Sequence, residues 1–222
     1  MTKGIRAVIF DLDGVIADTV ELHYEATKRV ADEVNLPFTR EINERMQGRG
    51  RMELIEELVK GSNQTFSEIE KKELGNRKNR YYQELISNLT KEDVLPGMYD
   101  FIQNVKEHSI PLAIASSSSN ALLVIKNLEI KSFFDYIVDV KKIKKMKPDP
   151  EIILYAADRL GVPYQQCVAI EDSEAGMKAI KSTPMFSIGI GSNTEVKQAD
   201  WHVQDTKEIT YKQLVNRYDM KQ

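Results

Sequence analysis

A chain of 222 residues has room for one large domain, or for a core of about 140 residues with a smaller companion, and excludes a multidomain giant. Its 31 basic and 34 acidic side chains give a net charge of −3, which excludes a whole-chain positive field for nucleic acid or anionic membrane, so any anionic ligand has to be held locally. One cysteine, Cys167, excludes an internal disulfide and a thiolate metal cluster.

No apolar run approaches the roughly 18 residues of a membrane span, and the N-terminus lacks the apolar segment of a signal peptide. The expected setting is the cytoplasm, with no membrane or nucleic-acid partner, and the chain is expected to be a monomer. Arg6-Ala7-Val8-Ile9-Phe10 is a β-branched and aromatic run of strand length that ends in Asp11-Leu12-Asp13-Gly14. Asp-Gly between apolar runs suits a hairpin. Against that, Asp18 with Glu21 three residues later reads as a helix start, which makes the pattern strand, acidic loop, helix.

From about residue 19 to about 90 the pattern is helical. Ala26, Val30 and Val34 form one stripe, stopped at Asn35-Leu36-Pro37; a second helix is expected from Thr39. Leu54, Ile55, Leu58 and Val59 make the next stripe, closed by Gly61. Ser67 with Glu70 is a capping box opening a long helix that carries Leu74, Tyr81, Tyr82, Leu85 and Ile86. Lys78 falls within that stripe, so it either snorkels or points into a wet cleft. His23, one turn ahead of Thr27, is either a surface residue or a group that steadies the hinge and a protonated Asp13.

After Leu95-Pro96-Gly97 strands alternate with helices. Pro111 to Ala115 is a strand running into four serines, Tyr136 to Val138 another, and Asp149 as N-cap with Pro150 at N1 opens a helix to Leu160, closed by Gly161. Cys167 to Ile170 is a strand leading into Glu171-Asp172-Ser173, and Phe186 to Ile190 and Trp201 to Val203 complete the set. This is an α/β grammar: a doubly wound parallel-sheet (Rossmann-like) core, residues 1–15 and 95–222, with an inserted helical cap domain, residues 16–94.

Ligands of such a sheet bind outside the carboxyl ends of its strands. Those ends carry Asp11 and Asp13, the serines from Ser116, Lys147 ahead of Pro148, and Glu171 with Asp172. Carboxylates with a hydroxyl and a lysine suit a hard divalent cation, Mg²⁺ above all, beside a phosphoryl group; without imidazole or thiolate they do not suit zinc. Taken singly, each has a plainer role: a polar N-cap loop at Ser116 to Ser119, a solvated lysine face from Lys141, an acidic helix start at Glu171-Asp172.

Asp11-Leu12-Asp13-Gly14-Val15 after a strand, Ser116 after the second, Lys147-Pro148, and Glu171-Asp172 resemble, in order and across the chain, the four motifs of the haloacid dehalogenase-like phosphotransferases. The resemblance implies that Asp11 is a nucleophile forming an aspartyl-phosphate and Asp13 a general acid and then base. It implies one Mg²⁺ per site, held by Asp11, the main-chain carbonyl of Asp13 and Asp172, with Glu171 nearby. Ser116 would bond the phosphoryl oxygens, and Lys147 would neutralise charge between nucleophile and phosphate.

Within that family the likeness extends to the β-phosphoglucomutase group, at His23, Gly48, Arg51, Lys78, Asn79 and Ser116 to Asn120. That group interconverts β-D-glucose 1-phosphate and D-glucose 6-phosphate, small sugar phosphates, through a bound 1,6-bisphosphate. The likeness implies that Arg51 holds the non-reacting phosphate with Ser118 and Asn120 near it, and that Lys78 faces the sugar. The cap loop departs from the group's pattern, with Gln47 in place of Lys and Arg49-Gly50 in place of Val-Ser. A sugar-phosphate phosphatase with the same nucleophile, and a phosphosugar sensor without turnover, are the other classes; the sensor would lack at least one of Asp11, Asp13, Lys147 and Asp172, and all four are present.

Overall fold

Ala7–Phe10 forms β1, four successive apolar residues that are all buried because both faces of the strand are covered. The computed structural model describes residues 4–221. The remaining strands are β2 (Leu112–Ile114), β3 (Tyr136–Ile137), β4 (Cys167–Glu171), β5 (Phe186–Ile190) and β6 (Trp201–Val203). All pair in parallel, in the order β3-β2-β1-β4-β5-β6. The hairpin alternative at Asp-Gly is excluded, because the neighbours of β1 are β2 and β4.

This order winds outward in both directions from β1, so a crevice opens at the carboxyl ends of β1, β2 and β4. Period-2 alternation divides the sheet between two cores. Val8 and Phe10 face one, Ala7 and Ile9 the other.

Between β1 and β2 lie α1 (Val20–Glu33), α2 (Arg40–Met46), α3 (Arg51–Lys60) and α4 (Glu68–Ile86). They have a core of their own: Val30, Ala31, Leu36, Phe38, Ile55, Leu58 and Leu74. Local chemistry sets their ends. Asn35 takes φ 53 after α1, the Thr39 side chain accepts from Ile42 N at the start of α2, and Ser67 with Glu70 forms the expected capping box on α4. The expected Asp18 start is not what caps α1. Thr19 occupies the N-cap without a side-chain cap bond, because its hydroxyl is engaged by Asp13 instead.

The two crossings to this helical block run side by side. Ala17 and Val94 form an antiparallel bridge, supported by Leu95 N to Ile16 O at 2.9 Å and Asp18 N to Asp93 O at 3.2 Å. Then follow α5 (Met98–Glu107), α6 (Ala121–Asn127), α7 (Glu151–Leu160), α8 (Glu174–Lys181) and α9 (Tyr211–Lys221). Phe101, Val124, Leu214 and Tyr218 place α5, α6 and α9 on one face; Ile152, Ala156 and Ile180 place α7 and α8 on the other.

The start of α7 is displaced by one residue from the expected one: Pro150 is the cap residue, Glu151 opens the helix, and Asp149 instead accepts from Glu151 N at 3.0 Å. Gly161 ends it in the left-handed region, φ 68. No helix among the described residues is long and apolar enough to cross a membrane.

Gly97 joins the second crossing to α5 at φ +78, where a Cβ would lie 2.8 Å from the Lys207 Cα. Backbone strain and a clash with main chain should cost Gly97→Ala about 1–3 kcal/mol. Calorimetry should show a melting temperature lowered by several degrees; an unchanged value would mean that the turn relaxes freely.

Candidate active site

Asp11 stands at the end of β1, its backbone N–H bonded to Ile170 O at 3.0 Å, and the chain then folds tightly back on itself with Ile16 N bonded to Leu12 O at 2.9 Å. Gly14 makes this possible. It has φ +77, and a Cβ there would lie 2.0 Å from Asp172 Oδ2, so a side chain would push the acidic loop away from Asp172. Gly176, in the first turn of α8, performs the same service for Glu171, whose Oε2 would lie 1.9 Å from its Cβ.

The buried Lys147 Nζ lies 2.5 Å from Asp11 Oδ1 and 2.8 Å from Glu171 Oε2. The other Glu171 oxygen accepts from Ser173, through its hydroxyl at 2.7 Å and its N–H at 3.0 Å. Glu171 is thereby saturated. Asp172 is not: Oδ2 accepts from Gln47 Nε2 at 2.5 Å, while the buried Oδ1 has no hydrogen-bond partner.

Carboxylate oxygens of Asp11, Glu171 and Asp172 lie within 4.8 Å of one another. Burial, followed by the charges of Glu171 and Asp13 and opposed by Lys147, pushes Asp11 up to about 7. Burial together with Glu171, Asp11 and Asp13 holds Asp172 far above the ordinary carboxylate range. Burial also works against the Lys147 charge, but Asp11 and Glu171 outweigh it and raise the ammonium above its usual value. A crowded all-oxygen set, short of positive charge and with one buried oxygen unpartnered, fits a hard divalent cation.

Asp13 is held differently. Its Oδ1 accepts from Thr19 Oγ1 at 2.5 Å, His23 Nε2 at 3.1 Å and Tyr82 OH at 3.1 Å, and Ser116 Oγ is 3.5 Å from Oδ2. Burial opposes its charge, yet His23, Thr19 and Tyr82 together hold it well below the usual carboxylate range. Three donors thus converge on one Asp13 oxygen, and His23 is placed to steady that carboxyl group, one of its two expected roles.

His23 stacks on Tyr82 with centroids 3.8 Å apart, and its Nδ1 lies 2.8 Å from Lys78 Nζ. Burial, then the neighbouring Lys78, lowers the His23 pKa despite Asp13. A neutral ring accepting from Lys78 at Nδ1 and donating to Asp13 at Nε2 satisfies both bonds. Lys78 itself is buried rather than snorkelling, and burial with the nearby Arg51 lowers it to about 8.

A cavity of about 370 Å³ joins these groups to the helical block, bounded by Asp11, Asp13 and Asp172 on the sheet side and by His23, Gly48, Arg51, Lys78 and Asn79 opposite. Ser118 and Asn120 also line it. Gly48 O accepts from Ser117 Oγ at 2.6 Å. Asn120 links two residues of α4, donating to Asn79 Oδ1 and accepting from Gln83 Nε2, both at 2.9 Å. Arg51 donates to the Ser119 hydroxyl, not to Ser118; Ser118 Oγ instead accepts from Asn120 N at 3.2 Å.

Thr19, Gln47, Tyr82, Gln83, Ser119 and Ser173 were not singled out by the sequence as site residues. Tyr82 carried a signal, a hydroxyl on an otherwise apolar stripe. Gln47, Gln83 and Ser119 have partners distant in the chain, whereas Thr19 and Ser173 bond acids only six and two residues away.

The sequence profile of the haloacid dehalogenase-like hydrolases matches residues 8–190. The chain belongs to that family. Within the family it is 44% identical over 217 residues to a β-phosphoglucomutase of Bacillus subtilis, covering 97% of this chain and 96% of the relative. It is 37% identical over 185 residues to a phosphorylated carbohydrates phosphatase of Thermotoga maritima, covering 80% and 81%. The crystal structure of a β-phosphoglucomutase from Clostridium difficile superposes with a TM-score of 0.94 at 38% identity, covering 98% of each chain.

A pH dependence follows from the raised carboxylates. A group whose folded pKa lies above its unfolded value stabilises the fold below the unfolded value, and that contribution is lost as pH rises through the folded one. For Asp11 the loss runs from its ordinary value of 3.8 to about 7. Asp13 and Asp200 are depressed, so their contributions change only in stronger acid. In chelator the melting temperature should fall between pH 5 and pH 8, and a divalent cation should raise it more at pH 8 than at pH 5. A cation effect equal at both would contradict the charge assignment.

Proposed function

We propose that this chain is a β-phosphoglucomutase, interconverting β-D-glucose 1-phosphate and D-glucose 6-phosphate through an aspartyl-phosphate and a β-glucose 1,6-bisphosphate. The observation that carries the reading is one cavity bounded at once by Asp11, Asp13 and Asp172 and by Arg51, Lys78 and Asn79. A ligand with a phosphate at each end needs a reacting centre and a separate cationic seat.

In this reading the Asp13 carboxylate removes the proton of the 6-hydroxyl of β-glucose 1-phosphate, that oxygen attacks the phosphorus of the aspartyl-phosphate, and the bond from phosphorus to Asp11 breaks, giving the 1,6-bisphosphate. In the second half-reaction the freed Asp11 carboxylate attacks the 1-phosphorus of the bisphosphate, the aspartyl-phosphate re-forms, and the bond to O1 breaks as that oxygen takes the proton back from Asp13, leaving D-glucose 6-phosphate. The His23, Thr19 and Tyr82 bonds fix the Asp13 oxygen for this exchange. Lys147 offsets the charge of nucleophile and phosphoryl group, Ser116 donates to the phosphoryl oxygens, and Arg51 grips the distal phosphate with Ser118 and Asn120 beside it. His23, Gly48, Lys78 and Asn79 bound the sugar.

Asp11, Asp172 and the main-chain carbonyl of Asp13, with Glu171 nearby, would hold one Mg²⁺, which when bound screens the repulsion between carboxylate and phosphate. Residues 16–94 act as the cap and residues 1–15 and 95–222 as the catalytic core. The separate apolar core of α1 to α4 and the paired crossings support that division.

A phosphatase uses the same core residues, and the Thermotoga maritima relative supports that second reading. The test is to supply Mg²⁺, β-glucose 1-phosphate and a trace of glucose 1,6-bisphosphate, following glucose 6-phosphate and free phosphate together. Rapid glucose 6-phosphate formation with little free phosphate is expected; dominant phosphate release would establish the phosphatase.

Two variants test the roles. Asp11→Asn should give no phosphoenzyme by mass spectrometry after exposure to the bisphosphate, and retained labelling would remove Asp11 as nucleophile. Arg51→Ala loses charge-assisted bonds worth about 1.5–3 kcal/mol, so kcat/KM should fall about 10- to 100-fold while labelling by a phosphoryl donor without a distal phosphate stays unchanged.

A further inference from the structure

The side chain of Gln47 crosses from the loop between α2 and α3 to the end of β4 and donates to Asp172 Oδ2 at 2.5 Å. Two neighbouring contacts seat this loop. Ser117 Oγ donates to Gly48 O at 2.6 Å, and Gly48, at φ +77, lies so close that a Cβ would be 2.2 Å from Ser173 Oγ. A second cavity, of about 240 Å³, reaches the acidic cluster from the side of Gly14 and Asn193. Gln47 and Asp172 are the two residues that line both cavities, so their bond forms the wall between them.

We propose that Gln47 is a positioning residue for the cation: it pins Asp172 by one oxygen from the cap, leaves the unpartnered Oδ1 for the divalent ion, and so couples cation affinity to cap closure. This rests on reading the acidic cluster as the cation site. Among the described residues Asp172 has no second hydrogen-bond donor on either oxygen, so without Gln47 no hydrogen bond fixes its carboxylate. Outer partners that fix a ligating carboxylate change metal affinity about 10- to 100-fold when removed.

An amide also suits the charge at this position. It supplies a donor without a positive charge, whereas a lysine would add an ammonium to the space where the cation must bind. Because Gln47 and Asp172 sit on opposite sides of the crossings at Ala17 and Val94, the bond exists only with the loop seated. By linkage, the cation then favours the seated loop as much as the seated loop favours the cation.

The experiment is Mn²⁺ titration of the full-length chain by electron paramagnetic resonance, with no sugar phosphate present, for the unaltered protein, Gln47→Ala and Gln47→Lys. Gln47→Ala should bind Mn²⁺ about 10-fold more weakly with an unchanged circular dichroism spectrum, and Gln47→Lys more weakly still. Mn²⁺ should slow tryptic cleavage after Arg49 and Arg51 in the unaltered chain and lose that effect in Gln47→Ala, a readout that a merely structural contact would not move. Mn²⁺ affinity of Gln47→Ala within about threefold of the unaltered chain, or tighter, would overturn this inference alone. Absence of Mn²⁺ binding by the unaltered chain would remove the cation site and this inference with it.

Discussion

Four carboxylates, those of Asp11, Asp13, Glu171 and Asp172, converge where β1 and β4 end, and among the described residues one lysine, Lys147, is buried between them. Taking each charge out of water costs several kcal/mol even after relaxation, against about 5–15 kcal/mol for the stability of a whole domain. The fold meets that cost unevenly. Glu171 is saturated by Lys147 and Ser173, and Asp13 by three donors on one oxygen, whereas Asp11 and Asp172 are left short of positive charge. That shortfall is the property a divalent cation and a phosphoryl group exploit: the site is incomplete in charge without a cation, and complete enough in geometry to receive one.

Everything that lets the carboxylates come so close is backbone. β1 lies at the switch point of a parallel sheet, so the loops after β1, β2 and β4 open onto one crevice. Gly14 and Gly176 then remove the two Cβ atoms that would otherwise collide with Asp172 and Glu171. The cap side is built on the opposite plan, with long side chains reaching down: His23 and Lys78 are threaded through the stacked Tyr82 toward Asp13, and Arg51 reaches the serine run. Side chains of the helical block therefore form part of the surroundings of Asp13 and Asp172 directly.

The sheet and the acidic motifs were legible because they are local. A β-branched run followed by Asp-Leu-Asp-Gly, the Ser67-Glu70 box and the Asn35 and Gly161 stops each carry their physics within a few residues, and each is found in place. Where one group had two possible partners, sequence pattern named the wrong one. Asp18 looked like a cap, yet Thr19 takes the cap position and spends its hydroxyl on Asp13; Asp149 and Pro150 are each one place out because the Asp149 side chain holds Glu151 N instead. The site contacts of Tyr82 and Gln83 stayed hidden because their partners are 69 and 37 residues away, and Gln47, read only as a departure in the cap loop, bonds a residue 125 away.

Burial and mutual repulsion raise the Asp11 and Asp172 carboxyls above their ordinary values, so a cation that offsets the repulsion displaces protons from the cluster. Calorimetric titration of the metal-free protein with Mg²⁺ at pH 6.5, repeated in buffers of different ionisation enthalpy, counts the protons that binding displaces. Release of protons on cation binding is expected, diminishing as pH rises above about 7. Cation binding with no proton release at pH 6.5 would contradict it, because the carboxylates would then have been ionised from the start.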